Sequence, residues 1–165
     1  MPQKDKKEAD VEFKVLCDGE KVMIDFQSLL ASSGMMEAYK GMKATVEGDY
    51  LDLPNVLTVG QNLKDGNMVI KISTEEGGEM ATINMSIRNR KVEAKEKITT
   101  PAGTFDSYKI SYDVIVETLV MGVKMPGGTH KTVEYVSKGT GMVRTESYNK
   151  NGKLTGYTVL TKFKP

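Results

Sequence analysis

The feature that most constrains this chain is a two-residue alternation of apolar and polar side chains, cut at short intervals by turn-forming dipeptides. Val11, Phe13 and Val15 alternate with Glu12 and Lys14, and Val22, Ile24 and Phe26 alternate with Lys21 and Asp25. Met68, Ile70 and Ile72 form another such set. Ala81, Ile83, Met85 and Ile87 follow, set against Thr82, Asn84, Ser86 and Arg88. The longest run is Tyr108, Ile110, Tyr112, Val114, Val116 and Val120, opposed by Ser107, Lys109, Ser111, Asp113 and Glu117; Val133 and Tyr135 continue it. Two more runs, 142–148 and 154–163, close the chain. Period two places one set of side chains on each face of a strand, one face dry and one wet.

Between the runs stand Asp18-Gly19, Asp65-Gly66, Gly77-Gly78, Gly127-Gly128 and Asn151-Gly152. Such pairs supply the positive φ of tight hairpins. Pro101-Ala102-Gly103-Thr104-Phe105 reads as a further tight turn, with proline fixing φ and glycine taking a conformation other residues resist. One stretch, residues 33–40, has the look of a short helix, capped by Ser33 or Gly34. Residues 48–63 read as an irregular connection. One short helix cannot cover eight to ten half-apolar strands, so the sheet has to curl over its own apolar side. The expected fold is all-β: an antiparallel, strongly curved sheet forming a roll, half-barrel or sandwich. Parallel α/β architecture is excluded because its crossover helices are missing. With 165 residues and no Pro-rich or Ser-rich linker, residues 1–165 are expected to form a single β domain.

Charge and composition narrow the function classes. The formal net charge is +1 with basic residues spread along the chain, so no clustered footprint for nucleic acid is present. The longest apolar stretches, of about five residues, are too short for a membrane-spanning helix. The single cysteine, Cys17, excludes an intramolecular disulfide. It sits beside a turn and among acidic residues, an incidental thiol rather than a nucleophile. Residues 1–10 are polar and charged and do not read as a secretory signal, so the expectation from them is a cytoplasmic protein or a mature or trimmed form of a longer one.

Residues 98–110, Ile-Thr-Thr-Pro-Ala-Gly-Thr-Phe-Asp-Ser-Tyr-Lys-Ile, are similar to a turn-plus-strand motif of an uncharacterised exported family of Gram-negative bacteria. Some of its members carry the label TapB family. The segment from Lys138-Gly139-Thr140-Gly141-Met142 through Leu154 resembles the same family, as do Tyr39-Lys40-Gly41-Met42 and Gly48-Asp49-Tyr50. The resemblance covers most of the chain from about Phe13. It implies a curled antiparallel sheet in a periplasmic or lipid-anchored envelope protein, and it implies no activity. Members of that family begin further upstream, so an N-terminal hairpin arm is expected to be missing here. That would leave the strand near Val11 as a free edge and a route to an edge-strand homodimer.

Chemistry-bearing residues are sparse. His130, the only histidine, lacks the nucleophile and orienting carboxylate that a catalytic base needs. Gly139-Thr140-Gly141 has no helix N-terminus behind it to hold a phosphate. Asp49, Asp52 and Asp65 match no calcium-loop spacing. No metal or cofactor is expected. Eleven methionines are the unusual feature. Most read as core filling, and Met35, Met36, Tyr39 and Met42 are the candidate mouth of a groove for an apolar ligand. The expected function is a non-enzymatic exported binding or structural module of the envelope, meeting an apolar small molecule or an envelope protein. The alternatives are a carrier of a lipid or other apolar ligand, and a hydrolase of unknown class.

Overall fold

The computed structural model describes residues 15–24, 39–49 and 51–164. Eleven strands follow one another: β1 (Val15–Cys17), β2 (Lys21–Ile24), β3 (Lys43–Gly48), β4 (Leu51–Pro54), β5 (Gly66–Ser73), β6 (Glu79–Thr100), β7 (Gly103–Val120), β8 (Val123–Lys124), β9 (Gly128–Ser137), β10 (Gly141–Tyr148) and β11 (Leu154–Val159). Every pairing is antiparallel. A small sheet has the order β1-β2-β4, and the main sheet runs β11-β10-β9-β7-β6-β5-β3 with β8 attached to β7. β11 and β3 stand at opposite edges, so the sheet is open and not a closed barrel. The expected helix at 33–40 lies outside the described residues except for its last two positions, where a turn closes from Met42 N to Tyr39 O at 3.1 Å.

Several hairpins follow their dipeptides. Gly19 adopts φ 95° between β1 and β2, Gly77 φ 90° between β5 and β6, and Gly152 φ 75° between β10 and β11. Pro101 and Ala102 form the two-residue link of the longest hairpin, since Thr100 pairs with Gly103. Two other glycine-containing dipeptides do different work. Gly66 lies within β5 opposite Ile87, where a Cβ would come within 3.0 Å of Leu51. Gly127 has Val116 O only 2.7 Å from the place of a Cβ. It admits a close backbone approach rather than a reversal. The reversal comes earlier, at Met121 (φ 49°) and Gly122 (φ 79°) between the paired residues Val120 and Val123. The connection at 48–63 also contains more order than its composition suggested. It holds β4, and its residues 60–63 bond to β6 through Gly60 N–Val92 O (2.8 Å), Val92 N–Gln61 O (2.9 Å) and Leu63 N–Arg90 O (2.8 Å).

Directly paired residues of an antiparallel sheet share a face. On one face Tyr108, Ile110 and Tyr112 of β7 stand opposite Val136, Glu134 and Thr132 of β9. They continue into a core of Met68, Ile70, Ile72, Ile83, Ile87, Val92 and Val114, completed by Leu51 and Leu63. On the other face Val133 and Tyr135 build a second core with Val143, against which Ile98, Phe105, Tyr148 and Leu160 pack. The C-terminal tail closes that core: Leu160 N donates to Val143 O at 2.9 Å, and Phe163 meets Phe105 edge-on, 6.4 Å between ring centres. The two cores lie back to back across β9, where all six residues from Thr132 to Ser137 are buried. The sheet therefore curls, as expected, but it buries opposite faces in its two halves.

Candidate functional site

The centre of the main sheet is polar on both sides, and two irregularities in β6 make it so. Register breaks between Arg88 and Lys91, and again between Val92 and Ala94. At the first bulge Asn89 takes φ 56° and its side-chain amide donates to Asp113 Oδ2 at 2.9 Å. Asparagine tolerates this left-handed conformation better than most residues. The extra residue re-aims the strand and Arg90 ends up 98% buried, at 2% relative exposure. Its Nη1 donates to the carbonyls of Asp52 and Lys64, each at 3.0 Å, tying β4 and the connection to β5 onto the sheet. Its Nε has no partner.

Tyr112 and Glu134 share this face. The Tyr112 hydroxyl donates to Glu134 Oε1 at 2.6 Å in a buried setting. Burial raises the Glu134 carboxyl above its ordinary range, opposed by the Tyr112 hydrogen bond and the Arg90 charge. Burial, with the Glu134 charge and hydrogen bond next, holds the Tyr112 phenol far above its usual range. Desolvation pulls Arg90 down, with Glu134 the largest opposing charge. Removing an ion from water costs several kcal/mol (on the order of 2–7 even for a neutral polar group), so such a cluster forms only where the fold enforces it.

At the second bulge Glu93 points to the opposite face, where the Ser111 hydroxyl donates to its Oε1 at 2.6 Å. That bond is the main cause of its lowered pKa, helped by Lys91, Lys131 and Lys109. Glu93, Ser111, Lys109 and Lys131 line an open depression of about 670 Å³, walled by the β10–β11 turn and lined also by Asp113, His130, Tyr148 and Lys150. Tyr148 donates its hydroxyl to Glu146 Oε2 at 2.6 Å, a bond that pushes the phenol up to about 12. Arg144 donates to the other oxygen of Glu146 at 2.7 Å. The Ser111 and Tyr148 hydroxyls that line the depression are thus committed to carboxylates.

The residues singled out in the sequence do not assemble into one site. Met35 and Met36 lie outside the described residues. Tyr39 is half-buried and packs against the first core, while Met42 is exposed. Asp52 forms an ion pair with Lys21 at 3.0 Å, and the described residues contain no group of three or more acidic, histidine or cysteine side chains placed to hold a metal. Cys17 is an exposed free thiol. Gly139 and Gly141, at φ 80° and 90°, serve the β9–β10 hairpin. Arg90 and Glu134 were not legible as site residues, because charged side chains in an alternating strand ordinarily face water. The available signal was the adjacent apolar pair Tyr135-Val136, which puts an apolar side chain on each face and fits a strand buried on both.

Comparisons with known proteins agree with this architecture. A candidate exported protein with a YmcC-like fold from Bacteroides fragilis NCTC 9343 is 19% identical, with a TM-score of 0.66 over 93% of this chain and 71% of its own. A candidate lipoprotein from Parabacteroides distasonis ATCC 8503 is 27% identical, with a TM-score of 0.67 over 92% of this chain and 70% of its own. No curated protein matches the chain, and neither neighbour carries the TapB label. No helix among the described residues is long and apolar enough to cross a membrane. The sequence profile of the DUF3108-like family matches residues 1–160, and the chain belongs to that family.

Proposed function

We propose that this chain is a non-enzymatic exported module of the bacterial cell envelope, residing in the periplasm or outer envelope and acting by binding or as a structural part. The observation that carries this reading is its likeness, at 27% identity over 92% of the chain, to the candidate lipoprotein of Parabacteroides distasonis. The chemistry of the sheet centre supports the non-enzymatic half. The Tyr112 and Tyr148 phenols are held above their ordinary range, and the Glu93 carboxylate that accepts from Ser111 is held below its own, which makes it a weak base for that hydroxyl. The depression beside His130 is lined mainly by charged and polar side chains, a lining that does not favour an apolar ligand there.

Fractionation tests the reading. Expressed from its complete native reading frame in a Gram-negative host, the protein is expected in the periplasmic or membrane fraction, and digested when protease is added to spheroplasts. A protease-resistant pool confined to the cytoplasm would overturn it.

A further inference from the structure

The far end of β7 breaks two rules at once. Met121 occupies the first position of a two-residue reversal in the left-handed region, at φ 49°, where asparagine or glycine is the favoured residue. It is also 75% exposed, and Val123 (64%), Met125 (43%) and Val120 (37%) are exposed around it. A strained backbone carrying an exposed apolar side chain points to a retained function for that side chain. Exposed carboxylates stand beside the tip, whose own Lys124 is paired with Glu117 at 2.8 Å. Met121 N bonds to Met80 O at 3.0 Å, next to exposed Glu79, whose hairpin turn presents exposed Glu75 and Glu76.

A complementary surface lies on the same chain. The edge strand β11 exposes Leu154 (42%) and Tyr157 (54%), and the tail exposes Phe163 (39%). Lys150, Lys153, Lys162 and Lys164 flank them along the chain, and residues 147–165 carry no carboxylate side chain. β11 itself holds neither a charged residue nor a proline, the devices that ordinarily guard an edge. The other main-sheet edge, β3, has Lys43 and Glu47.

We propose that the β7–β8 tip of one copy docks on the β11 edge and C-terminal tail of a second copy, apolar against apolar and glutamate against lysine. The two surfaces differ, so the contact is heterologous and propagates head to tail. The carboxylates around the tip argue against an anionic bilayer as its occupant, since such a surface repels them. A patch this small gives weak association that falls as salt screens the charges.

Sedimentation velocity of the full chain over a rising concentration series reads the contact. The wild type is expected to sediment faster as concentration rises at low salt, and less so at 0.5 M sodium chloride, an ionic strength where screening lengths fall to roughly 4 Å. Met121→Asn combined with Val123→Thr removes the tip while suiting the turn. Lys153→Glu with Lys162→Glu reverses the edge. Each variant alone is expected to remain monomeric, with a circular dichroism spectrum like the wild type. Their mixture is expected to form a 1:1 dimer and stop there, because one tip and one edge remain intact. Three results would each overturn the proposal: a wild type monomeric throughout, a tip variant that still self-associates, or Met121-dependent binding to phosphatidylglycerol vesicles.

Discussion

Glu134 is a carboxyl in a core, and its titration links one residue to the stability of the whole fold. Burial raises its folded pKa above the unfolded value of 4.5. A folded state that holds its proton more tightly than the unfolded state gains stability at low pH. That gain is present below the unfolded pKa and is lost as pH rises through the folded one. Other carboxylates act in the opposite sense: Asp18, lowered by backbone hydrogen bonds from Lys21 and Glu20, is stabilising once ionised. Comparison with a variant isolates the Glu134 part. Glu134→Gln keeps an acceptor for Tyr112 and cannot ionise. The wild type is expected to lose stability relative to this variant as pH rises above about 4.5. Urea unfolding of both proteins from pH 4 to pH 8 checks it, and a constant difference would remove Glu134 as the titrating group.

At the scale of strands and turns, the legible parts were those whose geometry is local. Asp18-Gly19, Gly77-Gly78, Pro101 to Gly103 and Asn151-Gly152 lie where their dipeptides suggested. The alternation of Met68, Ile70 and Ile72 predicted three buried side chains, at 3%, 1% and 1% exposure. What alternation cannot reveal is which core a strand serves. Val133 and Ile110 belong to opposite faces because register, not periodicity, decides which residues stand opposite each other. Bulges are equally hidden, since one extra residue shifts the phase without changing composition. Met121 concealed the true β7 reversal, and Gly127-Gly128 imitated one. Those two glycines give a paired test. Gly127→Ala drives a methyl against the Val116 carbonyl, whereas a Cβ on Gly128 meets nothing within 4 Å. The first is expected to cost about 1–3 kcal/mol and the second under about 1 kcal/mol. Equal thermal midpoints for the two variants would mean the close approach at Gly127 is not present.

For the whole molecule, the consequence is an open sheet with a pivot. One half buries its inner face under β4 and the connection at 57–63, the other buries its outer face under the C-terminal tail, and β9 lies between. The buried charges at Arg90 and Glu134 and the open depression beside Glu93 lie on opposite sides of that pivot. Among the described residues, exposed apolar side chains stand at two of the sheet's margins, the β11 edge and the β7–β8 tip. A sheet built this way exposes its rims while the middle holds its shape. Hydrogen exchange by mass spectrometry tests this most directly. The amides of Val133 to Ser137 in β9, with the facing stretch Ser107 to Tyr112 of β7, are expected to be among the slowest to exchange. Those of Leu154 to Val159 in β11, the edge strand among the described residues, are expected to exchange far sooner. Exchange in β9 as rapid as in β11 would contradict the two-sided burial on which the account rests.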